Sequence, residues 1–195
     1  MASHKLIECI KIDFLADASI VEIGSARESS GEESSTFFYS ALSKKVNAEF
    51  YSVDFSPQSR AMAAEVVGGN AVLSDGTAFL KVYNTYSQRK IALLYLDNFD
   101  VVYNDKHKQS LLKRVGSVYD DNNEVITNER SAAVHLEQIK AAQPFLAIKN
   151  VVIVDDTKLT EDGWWGKGAL VVPFLLESGY KIAAQSEDGL LLSNF

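Results

Sequence analysis

Cysteine is nearly missing: Cys9 is the only one in 195 residues, which excludes an internal disulfide framework and any multi-cysteine zinc site and suits a reducing compartment. Basic residues are in deficit, 19 Lys and Arg against 26 Asp and Glu, for a formal net charge of -7. A protein that grips phosphate backbones through its charge is therefore disfavoured, and no nucleic-acid partner is expected. No apolar run approaches the roughly 18 residues of a membrane-spanning helix. Glu8, Lys11 and Asp13 interrupt the N-terminal stretch where an export signal would need an unbroken apolar segment. The expectation is a cytoplasmic protein with no membrane partner. The glycine signatures of nucleotide phosphates are missing too. No G-K-[S/T] follows the first predicted strand, and Ala26 and Ser29 stand where G-x-G-x-x-G needs glycine. A nucleoside triphosphate site and a NAD-dependent oxidoreductase both lose ground.

What is present is a globular composition, 47% hydrophobic and 23% charged, enough for a single domain over residues 1–195 with one core. Strand-length apolar runs recur at 19–23, 48–53, 71–73, 91–96 and 151–154, several nearly continuous, as strands buried on both faces should be. Between them, 36–46, 57–67, 77–83 and 128–146 carry helical spacing, with Ser35-Thr36, Ser56-Pro57 and Thr77 as start signals. Such alternation predicts a parallel sheet with right-handed crossovers and helices on both faces. A helix is expected over about 4–17 and another near 169–177, a polar loop over 158–167, and a closing antiparallel hairpin from 180–185 and 189–192 around Ser186-Glu187-Asp188. The polar stretch 101–127 is long for a connection and reads as an insertion or lid.

In open parallel sheets, ligands bind beyond the carboxyl ends of the strands. Here those ends are acidic with regularity. The first strand carries Glu22, then Gly24, Ser25 and Arg27; the second ends in Asp54, the third in Asp75-Gly76, the fourth in Asp97 and the fifth in Asp155-Asp156. Each residue alone also reads as a turn or helix cap. Their recurrence at one end of successive strands is what points to a site. Asp54, 30 residues after Gly24, stands where an acid would accept hydrogen bonds from a ribose diol.

On these residues the chain resembles the class I S-adenosylmethionine-dependent methyltransferases. Val21-Glu22-Ile23-Gly24-Ser25-Ala26-Arg27 is similar to the family's first motif, Tyr51-Ser52-Val53-Asp54 to the second, Ser74-Asp75-Gly76 to the third and Leu94-Tyr95-Leu96-Asp97 to the fourth. The resemblance implies a Rossmann-like class I methyltransferase fold with a mostly parallel seven-stranded sheet and a C-terminal antiparallel hairpin. It also implies S-adenosylmethionine as cofactor, with Glu22, Gly24, Ser25, Arg27, Asp54, Asp75, Gly76 and Asp97 around it. Glu-Ile-Gly-x-x-Arg, Asp97 and Asp155-Asp156 together are similar to the branch of metal-dependent O-methyltransferases acting on sugars and other small hydroxylated molecules. That branch implies magnesium on Asp97, Asp155 and Asp156. The chemistry agrees, because a hard divalent cation prefers converging carboxylates and lowers the pKa of a bound hydroxyl.

Two departures stand out. The closely spaced second glycine is replaced by Gly31, seven positions on, and Asp97-Asn98-Phe99-Asp100 lacks the histidine many relatives carry in Asp-Gly-Asp-His. A base must come from elsewhere, and Lys158, His135 and His107 are the candidates, with Asp97 counted beside Lys158 and His135 among the catalytic residues. Thr160 to Gly168, with Trp164-Trp165 between glycines, reads either as a hinged aromatic wall over the substrate or as one tryptophan in the core with the other covering its edge. Gly166-Lys167-Gly168 could meet an anionic substrate group. The leading expectation is methyl transfer to a hydroxyl of a small-molecule acceptor. The alternatives are a metal-independent enzyme and a catalytically silent module that binds the cofactor or a protein partner. A homo-oligomer that completes the site is compatible with either.

Overall fold

The structure is a computed structural model that describes residues 1–26, 33–103 and 125–195. Its centre is one sheet built from β1 (Ser19–Ile23), β2 (Glu49–Asp54), β3 (Ala71–Leu73), β4 (Ile91–Leu96), β5 (Leu146–Asp155), β8 (Lys181–Gln185) and β9 (Gly189–Ser193). The spatial order is β3-β2-β1-β4-β5-β9-β8. β1 pairs in parallel with β2 and β4, and β5 in parallel with β4, whereas β9 runs antiparallel to both β5 and β8. The sequence-predicted parallel strands and closing hairpin are both present. One expectation changes: 158–167 is not a loop but a second antiparallel pair, β6 (Thr157–Thr160) with β7 (Gly163–Gly166). Thr157 and Gly166 are buried at the base of this ribbon and the tryptophans are half-buried, while Lys158, Leu159 and Thr160 are exposed.

Helices begin within two residues of the expected start signals, although Ser34 and Asp75, rather than Ser35 and Thr77, supply two of the caps. Ser34 caps α1 (Ser35–Val46), Ser56 caps α2 (Pro57–Val67) with Pro57 in its first turn, Asp75 caps α3 (Gly76–Lys81) and Thr127 caps α4 (Asn128–Ala142). α5 (Gly168–Glu177) carries Pro173 inside it. The helix expected over 4–17 is instead two 3-10 turns, Ser3–Cys9 and Asp13–Leu15, parted by extended backbone at Ile10. Burial of Leu6, Ile7 and Leu15 against the sheet dictates this path, since their spacing does not line one face of a continuous helix. Most of the expected insertion over 101–127 lies outside the described residues, as do Arg27, Gly31 and His107.

The central strands bury both faces, so each strand feeds two cores. Val21, Ile23, Val53, Leu94, Leu96, Val152 and Val154 pack with α3, α4 and α5 on one side. Ile20, Phe50, Leu93, Tyr95, Val151 and Ile153 pack with Tyr39 of α1 and the N-terminal turns on the other. Each of these fully buried aliphatic side chains stabilises the fold by about 1.5–3 kcal/mol relative to exposure. Both layers hold the carboxyl ends of β1, β2, β4 and β5 rigidly side by side. Among the described residues no helix is long and apolar enough to cross a membrane.

Candidate active site at the carboxyl rim of the sheet

The strand order reverses between β1 and β4, since successive connections leave β1 toward β2 and later return to β4 on its other side. That reversal opens a crevice at the carboxyl ends, the expected ligand position in such a sheet. Gly24 forms its floor. Its φ of 97° is left-handed, and a Cβ there would sit 2.6 Å from the Asp97 carbonyl and the Asn98 nitrogen. Only glycine lets the β1 turn lie against the end of β4. Ser25 then donates its backbone N–H to the Asp54 carboxylate at 2.9 Å, and Ser56 donates its own at 2.7 Å. Asp54, at the end of β2, thus ties the turn after β1 to the start of α2. Asp75 is exposed and accepts from the N–H of Ala78 at 2.8 Å, capping α3. A Cβ on Gly76 would collide with the Ile23 side chain, so close packing of α3 on β1 accounts for that glycine.

Glu22 is not on the rim. It is wholly buried under α1, where Thr36 Oγ1 and Ser52 Oγ donate to its Oε2 at 2.8 and 2.6 Å. Burial pushes its carboxyl up to about 7, against the pull of the surrounding hydroxyls and with a further push from Asp97. Its role here is to join β1, β2 and α1 internally.

Asp97, Asp155 and Asp156 do converge: each offers an oxygen, and all three lie within 4.8 Å of one another. The rest of the cluster was not foreseen. Lys167, 1% exposed, places its Nζ 2.6 Å from Asp97 Oδ1 and 3.1 Å from Asp156 Oδ2. Burial alone would pull this ammonium down, but Asp97, then Asp156 and Asp155, outweigh it and hold it above the ordinary lysine range. Ser3 Oγ donates to Asp155, Tyr103 Oη donates to Asp156, and Tyr95 Oη donates to Asp97 at 3.2 Å. Burial, then the Asp97 charge, push the Asp155 carboxyl well up. The backbone explains how a lysine arrives there. Gly166 has φ 77°, a Cβ on it would strike the Asp156 carbonyl oxygen, and a Cβ on Gly168 would strike Thr157. Glycines on either side thus press Lys167 against the end of β5. The only trace in the sequence is Gly166-Lys167-Gly168 ahead of an apolar helix, a pattern that cannot show which way the lysine turns.

A resident magnesium ion therefore does not fit this site as expected. The position among the three carboxylates is already answered by a tethered ammonium that hydrogen-bonds two of them. The two other proposed bases sit differently, Lys158 on the exposed ribbon and His135 buried within reach of the Lys167 and Asp97 charges. Lys158 is exposed on β6 with its Nζ 4.9 Å from the Trp165 ring centroid. His135 is fully buried on α4, its Nδ1 2.7 Å from the Ser131 carbonyl, and burial pushes its pKa down to about 4. The tryptophans divide their work: Trp164 packs on the core, while Trp165 stacks on Tyr103 at 5.4 Å. The described rim suits S-adenosylmethionine in kind, because Asp75 exposes a carboxylate acceptor and Asp54, though buried, sets its carboxylate at the neighbouring strand end, the group type that hydroxyl and amino donors need.

No family model matches the sequence, and no curated protein matches it. Solved structures do match its fold. A Streptococcus mutans protein in complex with SAH is 16% identical over 98% of this chain and 93% of its own, with a TM-score of 0.51. The TDP-rhamnose 3'-O-methyltransferase of calicheamicin biosynthesis is 14% identical, covering 97% of this chain and 76% of its own, with a TM-score of 0.55. An O-methyltransferase from Bacillus cereus in complex with SAH is 10% identical over 98% and 79%, with a TM-score of 0.51. The chain therefore has the Rossmann-like fold of the class I methyltransferases.

Proposed function

We propose that this protein transfers a methyl group from S-adenosylmethionine to a hydroxyl of a small-molecule acceptor. The observation that carries this reading is the crevice at the reversal point between β1 and β4. There a glycine turn faces Asp97, and Asp54 and Asp75 follow at the next two strand ends, in a fold whose solved examples include SAH complexes. Bound S-adenosylmethionine supplies a methyl group on sulfonium sulfur, open to in-line attack by an oxygen nucleophile.

The chain's residues divide the remaining tasks. Asp54 and Asp75 accept from the ribose hydroxyls and the adenine amino group, while Gly24 and Ser25 border the methionine end. Asp97 stands between this region and the β5 rim, with its side chain 29% exposed, and accepts the proton of the acceptor hydroxyl. Tyr103 and Trp165 form an aromatic wall beside Asp156. The excess of acidic over basic residues supports a small molecule over a nucleic acid as the acceptor.

The test is calorimetric titration with S-adenosylmethionine and with SAH. Saturable binding of both is expected, and Asp54→Ala should weaken SAH by at least about tenfold, the value of one charge-assisted hydrogen bond. If neither ligand binds, the reading fails. A second reading, a module that binds the cofactor without turnover, is favoured by the engagement of Asp97 and Asp156 with Lys167. Tight SAH binding with no methyl transfer to any hydroxylated acceptor in a broad screen would support it.

A further inference from the structure

We propose that Lys167 is the resident cation of this site, a tethered ammonium that occupies the place a divalent metal would take among Asp97, Asp155 and Asp156. Three observations carry it. The three carboxylates present oxygens within 4.8 Å of one another, an arrangement that a positive charge at its centre stabilises. The Lys167 Nζ is bonded to two of them, at 2.6 and 3.1 Å, from a side chain almost wholly shielded from water. Its seat is built into the backbone: Gly166 and Gly168 allow the chain to press on Asp156 and Thr157, and the Lys167 N–H donates to the Asp156 carbonyl at 3.2 Å.

An ammonium and a magnesium ion differ in what they offer an acceptor. Magnesium keeps open coordination positions for a substrate oxygen and lowers its pKa directly. Lys167 has three N–H donors, and two already point to Asp97 and Asp156. Lys167 is then a positioning residue. It fixes the orientation of Asp97 and Asp156 and offsets part of their charge, which leaves proton acceptance to a carboxylate. As a statement about catalysis this rests on the methyl-transfer reading; as a statement about the cation it does not.

The experiment uses manganese alone as the probe, followed by electron paramagnetic resonance on the whole chain. The wild-type protein should show no saturable manganese binding that depends on Asp97, and its SAH affinity should be the same with magnesium and with EDTA. Lys167→Met should create a manganese site at least about tenfold tighter than any in the wild type, because removing one positive charge leaves the acids facing one another. That site should disappear in Lys167→Met/Asp97→Asn. Lys167→Arg, which keeps the charge, should bind no manganese.

Saturable manganese binding by the wild type that is lost in Asp97→Asn or Asp156→Asn overturns the proposal. So does a folded Lys167→Met that gains no site. Should Lys167→Met not fold, the wild-type arm decides alone. Failure of the methyl-transfer reading shows separately, as absence of SAH binding, and leaves the manganese result intact.

Discussion

Replacing Glu22 by glutamine should make this protein less sensitive to a rise in pH from 5 to 7, by an amount that follows from its burial. Its folded value of about 7 stands some 2.5 units above the ordinary 4.5. A carboxyl raised in the fold binds its proton more tightly there than in the unfolded chain, so stability falls as pH climbs from the unfolded value through the folded one. At about 1.36 kcal/mol per unit the total penalty is roughly 3 kcal/mol, nearly all of it incurred by pH 7. Only about 0.8 kcal/mol is incurred by pH 5, so the wild type should lose about 2 kcal/mol relative to Glu22→Gln between pH 5 and pH 7. In a chain of this length that is about 4–8 °C of Tm. Glutamine keeps the acceptor for Thr36 and Ser52 at Oε2. Its new amide N–H₂ adds a cost that does not vary with pH, so the slope of the difference is the quantity to read. The assay is urea unfolding of both proteins at closely spaced pH values. A stability difference that stays flat from pH 5 to pH 8 would refute the reasoning and show that Glu22 is ionised in the fold at no cost.

His135 predicts the opposite slope. Its folded value of about 4 lies below the ordinary 6.5, so the protein should lose stability as pH falls through 6.5 toward 4, by roughly 3 kcal/mol in total. Proton NMR of the imidazole should show no titration above about pH 5, and a midpoint near 6.5 would contradict its burial. Gly24→Ala should destabilise by roughly 3 kcal/mol or more, through left-handed strain and the clash with the end of β4. Equilibrium unfolding checks this, and a loss below about 1 kcal/mol, the low end of the cost of a strained backbone position, would mean the turn can move away. In the same assay Gly166→Ala should destabilise and, by pushing the β6–β7 pair off Asp156, should expose Lys167 to amine-labelling reagents that leave it untouched in the wild type.

Much of the fold was legible in the sequence because its signals are local. Nearly continuous runs such as Ile91 to Leu96 mark strands buried on both faces, and Ser56-Pro57 marks a helix start within three residues of what it caps. Acids at the ends of successive strands followed from the same reading, since a residue's place at a strand end depends on its own segment alone. The tryptophan hairpin was missed because Thr157 to Gly166 pairs with itself across only two turn residues, too short a span for a hydrophobic period to declare itself.

What the sequence by itself determined is the order of elements, the parallel core, and the gathering of Asp54, Asp75, Asp97 and Asp155-Asp156 on one rim. What only the tertiary structure decided is the state of those acids. Glu22 faces inward because α1 brings Thr36 onto it, and Asp54 is engaged by the turn after β1. Lys167 reaches Asp97 across 70 residues because glycine on either side lets one backbone segment touch another. Charge at a site is a sum over neighbours in space, and chain order fixes only the neighbours in sequence.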